Sequence, residues 1–116
     1  MGDRSLNSMK EDKVLIKKVR KFTDCKESSI IFDVMEKKID FVQLGDKLLG
    51  QGQILDEDFD NKIYTINIKT GLIGLNIATI SIQLRDFGLS FAAYAKEGLI
   101  KQNSAQKAIN KIKALF

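Results

Sequence analysis

Asp56, Asp58 and Asp60 stand at alternate positions, and their type and spacing come nearest to chemistry in this chain. Carboxylates two residues apart can converge on a hard cation such as calcium if the backbone curls into a loop of the EF-hand type. Ile63 falls where such loops carry an apolar residue. The pattern departs at the turn glycine, which is Asn61, and at the position of the bidentate glutamate, which is Asn67. The same stretch suits an acidic hairpin turn, because Asp and Asn are natural turn residues. Two expectations follow: a metal site at Asp56, Asp58 and Asp60, or a plain solvated turn.

The second chemically suggestive set is cationic. Net charge is +4, and it is unevenly spread. Residues 1–87 hold 14 basic and 14 acidic side chains, whereas 88–116 hold the five lysines Lys96, Lys101, Lys107, Lys111 and Lys113 against Glu97 alone. Lys101, Lys107, Lys111 and Lys113, together with Lys17 and Lys21, are the candidate anion-binding residues. Such a charge balance fits nucleic acid, a membrane surface or an acidic protein. A solvated lysine face that aids solubility accounts for it equally.

Catalysis finds little support. There is no histidine for a triad or for most zinc sites, and Cys25 is the only cysteine. No group sits in a constellation that would tune it as an acid, base or nucleophile, so neither a catalytic residue nor a cofactor is expected. A single cysteine excludes an internal disulfide and suits a reducing, cytoplasmic compartment. The longest uncharged run, 70–84, is too short for a membrane-spanning helix, which needs about 20 apolar residues. The first residues lack the apolar core of a signal peptide.

These groups need elements to position them. In the uncharged run, Ala78, Ile80, Ile82 and Leu84 alternate with Thr79, Ser81 and Gln83, as in a strand with one buried face. Leu89, Phe91, Ala93 and Ala95 alternate likewise and predict a strand returning beside it, with a short helix over 90–97 as the rival. Ile63–Ile68 predicts a strand that pairs with 48–55 around the acidic turn. Ile30, Phe32 and Val34, then Ile39 and Phe41, predict a hairpin of 29–35 with 38–44. Gly50 and Gly52 suggest a bend, a bulge or close approach by another backbone.

Helices are expected at both ends. Ser8 and Glu11 have capping-box spacing, and Leu15, Val19 and Phe22 form a stripe, so a helix is expected over about 9–23. A second runs from about 104 to 115, capped by Asn103 or Ser104, with Ala105, Ala108, Ile109, Ile112, Leu115 and Phe116 on one face. Residues 1–8 are read as a flexible terminus or a non-native addition, and 9–116 as one α+β domain of about six antiparallel strands in a curled sheet or small barrel.

That layout, with Gly52-Gln-Ile54-Leu-Asp56 ahead of Ile63–Ile68, resembles the first barrel hairpin of PilZ-type dinucleotide-receptor domains. The resemblance covers about half of the chain. It implies a six-stranded barrel and an anionic dinucleotide ligand held by an Arg-x-x-x-Arg pair. Here only Lys17 and Lys21 have that spacing, and the family's Asp-x-Ser-x-x-Gly element is missing. The function expected from the residues themselves is a small non-catalytic binding or assembly module. Ile109, Ile112, Leu115 and Phe116 are its candidate contacts with a protein partner or a second copy. Nucleic acid or a nucleotide-type anion in a PilZ-like barrel is the alternative.

Overall fold

The computed structural model describes residues 2–70, 76–97 and 103–116, with side chains from residue 12 onward. Helix α1 (Gly2–Lys21) leads through a single 3-10 turn (Glu27–Ser29) into strand β1 (Ile31–Glu36). Helix α2 (Phe41–Leu48) follows, then strands β2 (Gln53–Asp58), β3 (Ile63–Thr70), β4 (Asn76–Arg85) and β5 (Gly88–Ala95), and last helix α3 (Ser104–Lys113). The five strands form one antiparallel sheet in the order β1-β5-β4-β3-β2.

The fold class is α+β, as expected, but two parts of the expectation fail. Among the described residues there are five strands rather than six, and the sheet stays open, with β1 and β2 as its edges. The expected barrel, and the PilZ-type layout that required it, do not form.

The missing strand is the 38–44 half of the first predicted hairpin, which is helical. Asp40 explains this: its Oδ1 accepts from the Gln43 amide at 2.8 Å, while Gln43 Oε1 accepts from the Asp40 amide at 3.0 Å. That reciprocal cap satisfies orphan amides at a helix start and outweighs the short alternation of Ile39 and Phe41. Leu44 and Leu48, four apart, then bury one face of α2. Part of the expected 48–55 strand goes to a turn. Leu49 (φ −59°, ψ 131°) and Gly50 (φ 82°) take type II geometry, and the Gln51 amide donates to Leu48 O at 3.1 Å.

The sheet is covered on both sides. On one, Ile66, Ile68, Ala78, Ile80, Ile82, Leu89, Phe91 and Ala93 pack with Leu44 and Leu48 of α2 and with Ala108, Ile109 and Ile112 of α3. On the other, Leu15 and Val19 of α1 meet Cys25, Ile30, Ile63 and Ala92 in a smaller cluster. The polar side of β4, read from sequence as the exposed one, is buried under this second layer. Its hydroxyls are satisfied across the ladder: Thr65 bonds Ser81 at 3.0 Å, and Thr79 donates to Asn67 at 2.6 Å. An unpaired buried hydroxyl would cost roughly 1–3 kcal/mol.

Helix α3 matches expectation in place but not in capping. Asn103 sits in the left-handed region (φ 52°) and makes no side-chain cap bond; Glu97 Oε1 instead accepts from the Ser104 amide at 2.5 Å. Helix α1 begins at Gly2, earlier than expected, and the side chains of Ser8 and Glu11 lie outside the described residues.

Gly52 marks close approach of another backbone, because a Cβ there would run into the Asn67 carbonyl of β3. Gly52→Ala is expected to cost about 2 kcal/mol and to lower the melting temperature by roughly 8 °C. Calorimetry of the two proteins checks this, and equal melting temperatures would contradict it.

Candidate binding groove beside helix α1

The site begins with a break in the pairing of β2. Ile54 stands opposite Ile66, but Asp56 stands opposite Thr65, so Leu55 is an extra residue in the ladder. In a regular strand Ile54 and Asp56 would share a face. The bulge reverses that parity. Ile54 packs with the α2–α3 core, while Asp56 and Asp58 turn to the α1 side.

Lys18 of α1 meets them there. Its Nζ lies 2.8 Å from Asp56 Oδ2 and 3.0 Å from Asp58 Oδ2, with all three side chains largely shielded from water. The hydrogen bond to Asp56 raises the Lys18 pKa, burial opposes this, and Asp58 adds to the rise. Asp58 is held down to about 2, chiefly by hydrogen bonds from the Asn61 side chain and amide, with Lys18 third. Asn61 donates to it from the amide at 3.0 Å and from Nδ2 at 2.9 Å, which pins the β2–β3 turn.

This arrangement answers where the three aspartates lie. The place between Asp56 and Asp58 that a cation would need is taken by an ammonium. Asp60 is exposed and joins neither contact, and no group of acidic or cysteine side chains suited to a metal occurs among the described residues. The turn between β2 and β3 is formed by residues 59–62, with Asp56 and Asp58 in the strand before it.

The lysine set is split by the sheet. Lys17 and Lys21 lie on α1, whereas Lys107, Lys111 and Lys113 belong to α3 on the opposite face. Lys113 is bound 2.7 Å from Asp33 Oδ2, an oxygen that also accepts from Gln106 at 3.0 Å. Burial pushes the Asp33 carboxyl up, but the hydrogen bonds from Lys113, Gln106 and the Val34 amide together hold it below the usual range. Lys101 lies outside the described residues. No single anion site can include both ends of this set.

The apolar contact set fares similarly. Ile109 and Ile112 are fully buried on the chain's own sheet, and Leu115 and Phe116 are half-buried against the same core.

What the structure assembles is a groove of about 970 Å³ along α1. Lys13, Lys17, Arg20 and Lys21 supply its charge, and Val14 and Ile16 supply apolar floor, with Lys18, Asp58 and Asn61 along one side. Lys13 and Lys17 are exposed and have no ion pair among the described residues. Arg20 Nε donates to Cys25 O at 3.1 Å, and the ion pair of Arg20 with Glu27 is long and exposed, 3.5 Å, of a kind worth little in water. Lys13 and Arg20 were not among the candidate anion-binding residues. The signal was there, since 13–21 holds five cations and no acid.

Comparison with protein-family models, with characterised proteins and with solved structures finds no match to this chain.

The lowered pKa of Asp58 fixes a pH dependence. Its carboxyl titrates near 2 in the fold against an unshifted 3.8. The ionised form thus favours folding, and its contribution is complete above about pH 5 and lost as pH falls through about 2. Asp58→Asn is expected to be less stable than the parent protein at neutral pH. Melting curves of the two should draw together as the pH is lowered through that window. A gap that stays constant from neutral pH to pH 2 would contradict the assignment.

Proposed function

We propose that this chain is a non-catalytic binding module whose α1 groove takes an acidic, partly apolar polypeptide segment. The observation that supports it is the division of charge beside α1. Of the two acids that line the groove, Asp58 is neutralised by Lys18, which also holds Asp56 behind it, and Glu27 makes only a long, exposed contact with Arg20. Lys13, Lys17, Arg20 and Lys21 then present a positive line over the apolar patches of Val14 and Ile16. A surface of that kind complements a segment in which acidic and aliphatic residues alternate. Nucleic acid is the weaker fit, because base recognition on single strands leans on aromatic platforms and no aromatic side chain lines the groove.

No helix among the described residues is long and apolar enough to cross a membrane. The groove is concave and charged but holds no acid–base pair that would perform group transfer, so binding is the activity proposed.

The test uses two fluorescent probes, a 20-residue peptide alternating Glu with Leu and a mixed-sequence oligonucleotide of 20 residues. The peptide is expected to bind more tightly, and Lys17→Glu with Lys21→Glu to weaken it by at least about tenfold, or roughly 1.4 kcal/mol. Tighter binding of the oligonucleotide, weakened by the same pair, would favour the nucleic-acid reading. No loss of peptide binding in the double variant would remove the groove from the account.

A further inference from the structure

The two edges of the sheet are not alike. β2 is defended by its bulge at Leu55 and by Asp56, Glu57 and Asp58 in succession, devices that discourage pairing with another strand. β1 has neither. Its pairing with β5 runs unbroken from Ile31 to Glu36, and Phe32 and Val34, on its α1 side, are 43% and 58% exposed. The Val34 amide bonds only the side chain of its neighbour Asp33, at 2.8 Å, whereas the Lys37 amide reaches inward to Phe87 O at 3.3 Å. Antiparallel alternation then places the main-chain groups of Phe32, Val34 and Glu36 on the open side.

We propose that β1 pairs antiparallel with β1 of a second copy about a two-fold axis at Met35, which joins two five-stranded sheets edge to edge. Charge selects both the partner and the register. With the axis at Met35, Asp33 of each copy stands opposite Lys37 of the other, and Val34 exchanges main-chain hydrogen bonds with Glu36. An axis at Asp33 would set two carboxylates face to face, and an axis at Val34 would set Asp33 opposite Met35. Cross-strand opposite charges stabilise a pair, and like charges destabilise it. Asp33 can take the second lysine because Lys113 holds it from within while its side chain stays 26% exposed. The Val34 amide gives up its bond to Asp33 and gains a carbonyl. A single strand pair buries less than the roughly 1,200–2,000 Å² of a standard interface, so the dimer is weak and concentration-dependent.

Sedimentation equilibrium of the full chain tests this between about 1 µM and about 500 µM. The mass is expected to climb from 13.1 kDa toward twice that value. Lys37→Glu sets a glutamate opposite Asp33 and is expected to weaken association at least tenfold with an unchanged melting temperature. Met35→Cys in a Cys25→Ser background is expected to form a disulfide-linked dimer on oxidation, because the residue on the axis meets its own copy in a non-hydrogen-bonded pair. Phe32→Cys in the same background is expected to remain uncrosslinked. A mass fixed at 13.1 kDa throughout overturns the proposal. So does a dimer indifferent to Lys37→Glu, or one in which Met35→Cys cross-links no better than Phe32→Cys.

Discussion

Burial of both faces of β4 is the constraint on which the rest of this structure depends. Ala78, Ile80 and Ile82 meet the α2–α3 layer, while Thr79 and Ser81 are buried beneath α1. An apolar face is covered readily by any amphipathic helix. A polar face can be covered only if its hydroxyls pair first, and here they do so sideways, with Thr65 and Asn67 of the neighbouring strand. The sheet becomes the middle of three layers. With both faces of its central strand covered, it has no need to curl upon itself, and its edges remain.

Helix α1 is the thinner of the two covers. Among the described residues, Leu15 and Val19 are its fully buried side chains, and the cluster they join is much smaller than that beneath α3. The Lys18 contact with Asp56 and Asp58 adds to the docking beside that stripe. It depends on a single extra residue: without the bulge at Leu55, Asp56 and Asp58 would point with Ile54 into the apolar layer, where unpaired carboxylates would be costly. The same ion pair neutralises Asp58 of that wall, and with Glu27 the one other acid that lines it among the described residues, the cations of α1 remain in excess there. Structure and charge at this site have one origin.

Much of this was legible in the sequence. Strict alternation from Ala78 to Leu84 and from Leu89 to Ala95 gave the right strands on the right faces, because each apolar residue had the same neighbour layer. The stripe of Ala108, Ile109 and Ile112 marked α3 for the same reason. The helix at 41–48 was hidden, since Ile39 and Phe41 alternate and the decisive sign is the Asp40–Gln43 reciprocal cap. The polar underside of β4 was read as solvent-facing, because sequence shows polarity but not the cross-strand partner that permits burial. The groove was missed in half of its residues. Charge averaged over 1–87 cancels to zero, while the fold gathers Lys13, Lys17, Arg20 and Lys21 along one groove with, among the described residues, only Glu27 and Asp58 as acids in its lining.

The docking of α1 on the polar side of the sheet carries the account, and methyl-to-methyl nuclear Overhauser effects in the labelled full chain report on it directly. Cross-peaks from the Leu15 and Val19 methyls to those of Ile63 and Ala92 are predicted, since all four are buried in one cluster. Their absence, with the Ile109 and Ile112 cross-peaks to the opposite face intact, would mean that α1 does not lie on the sheet, and the groove would have no wall.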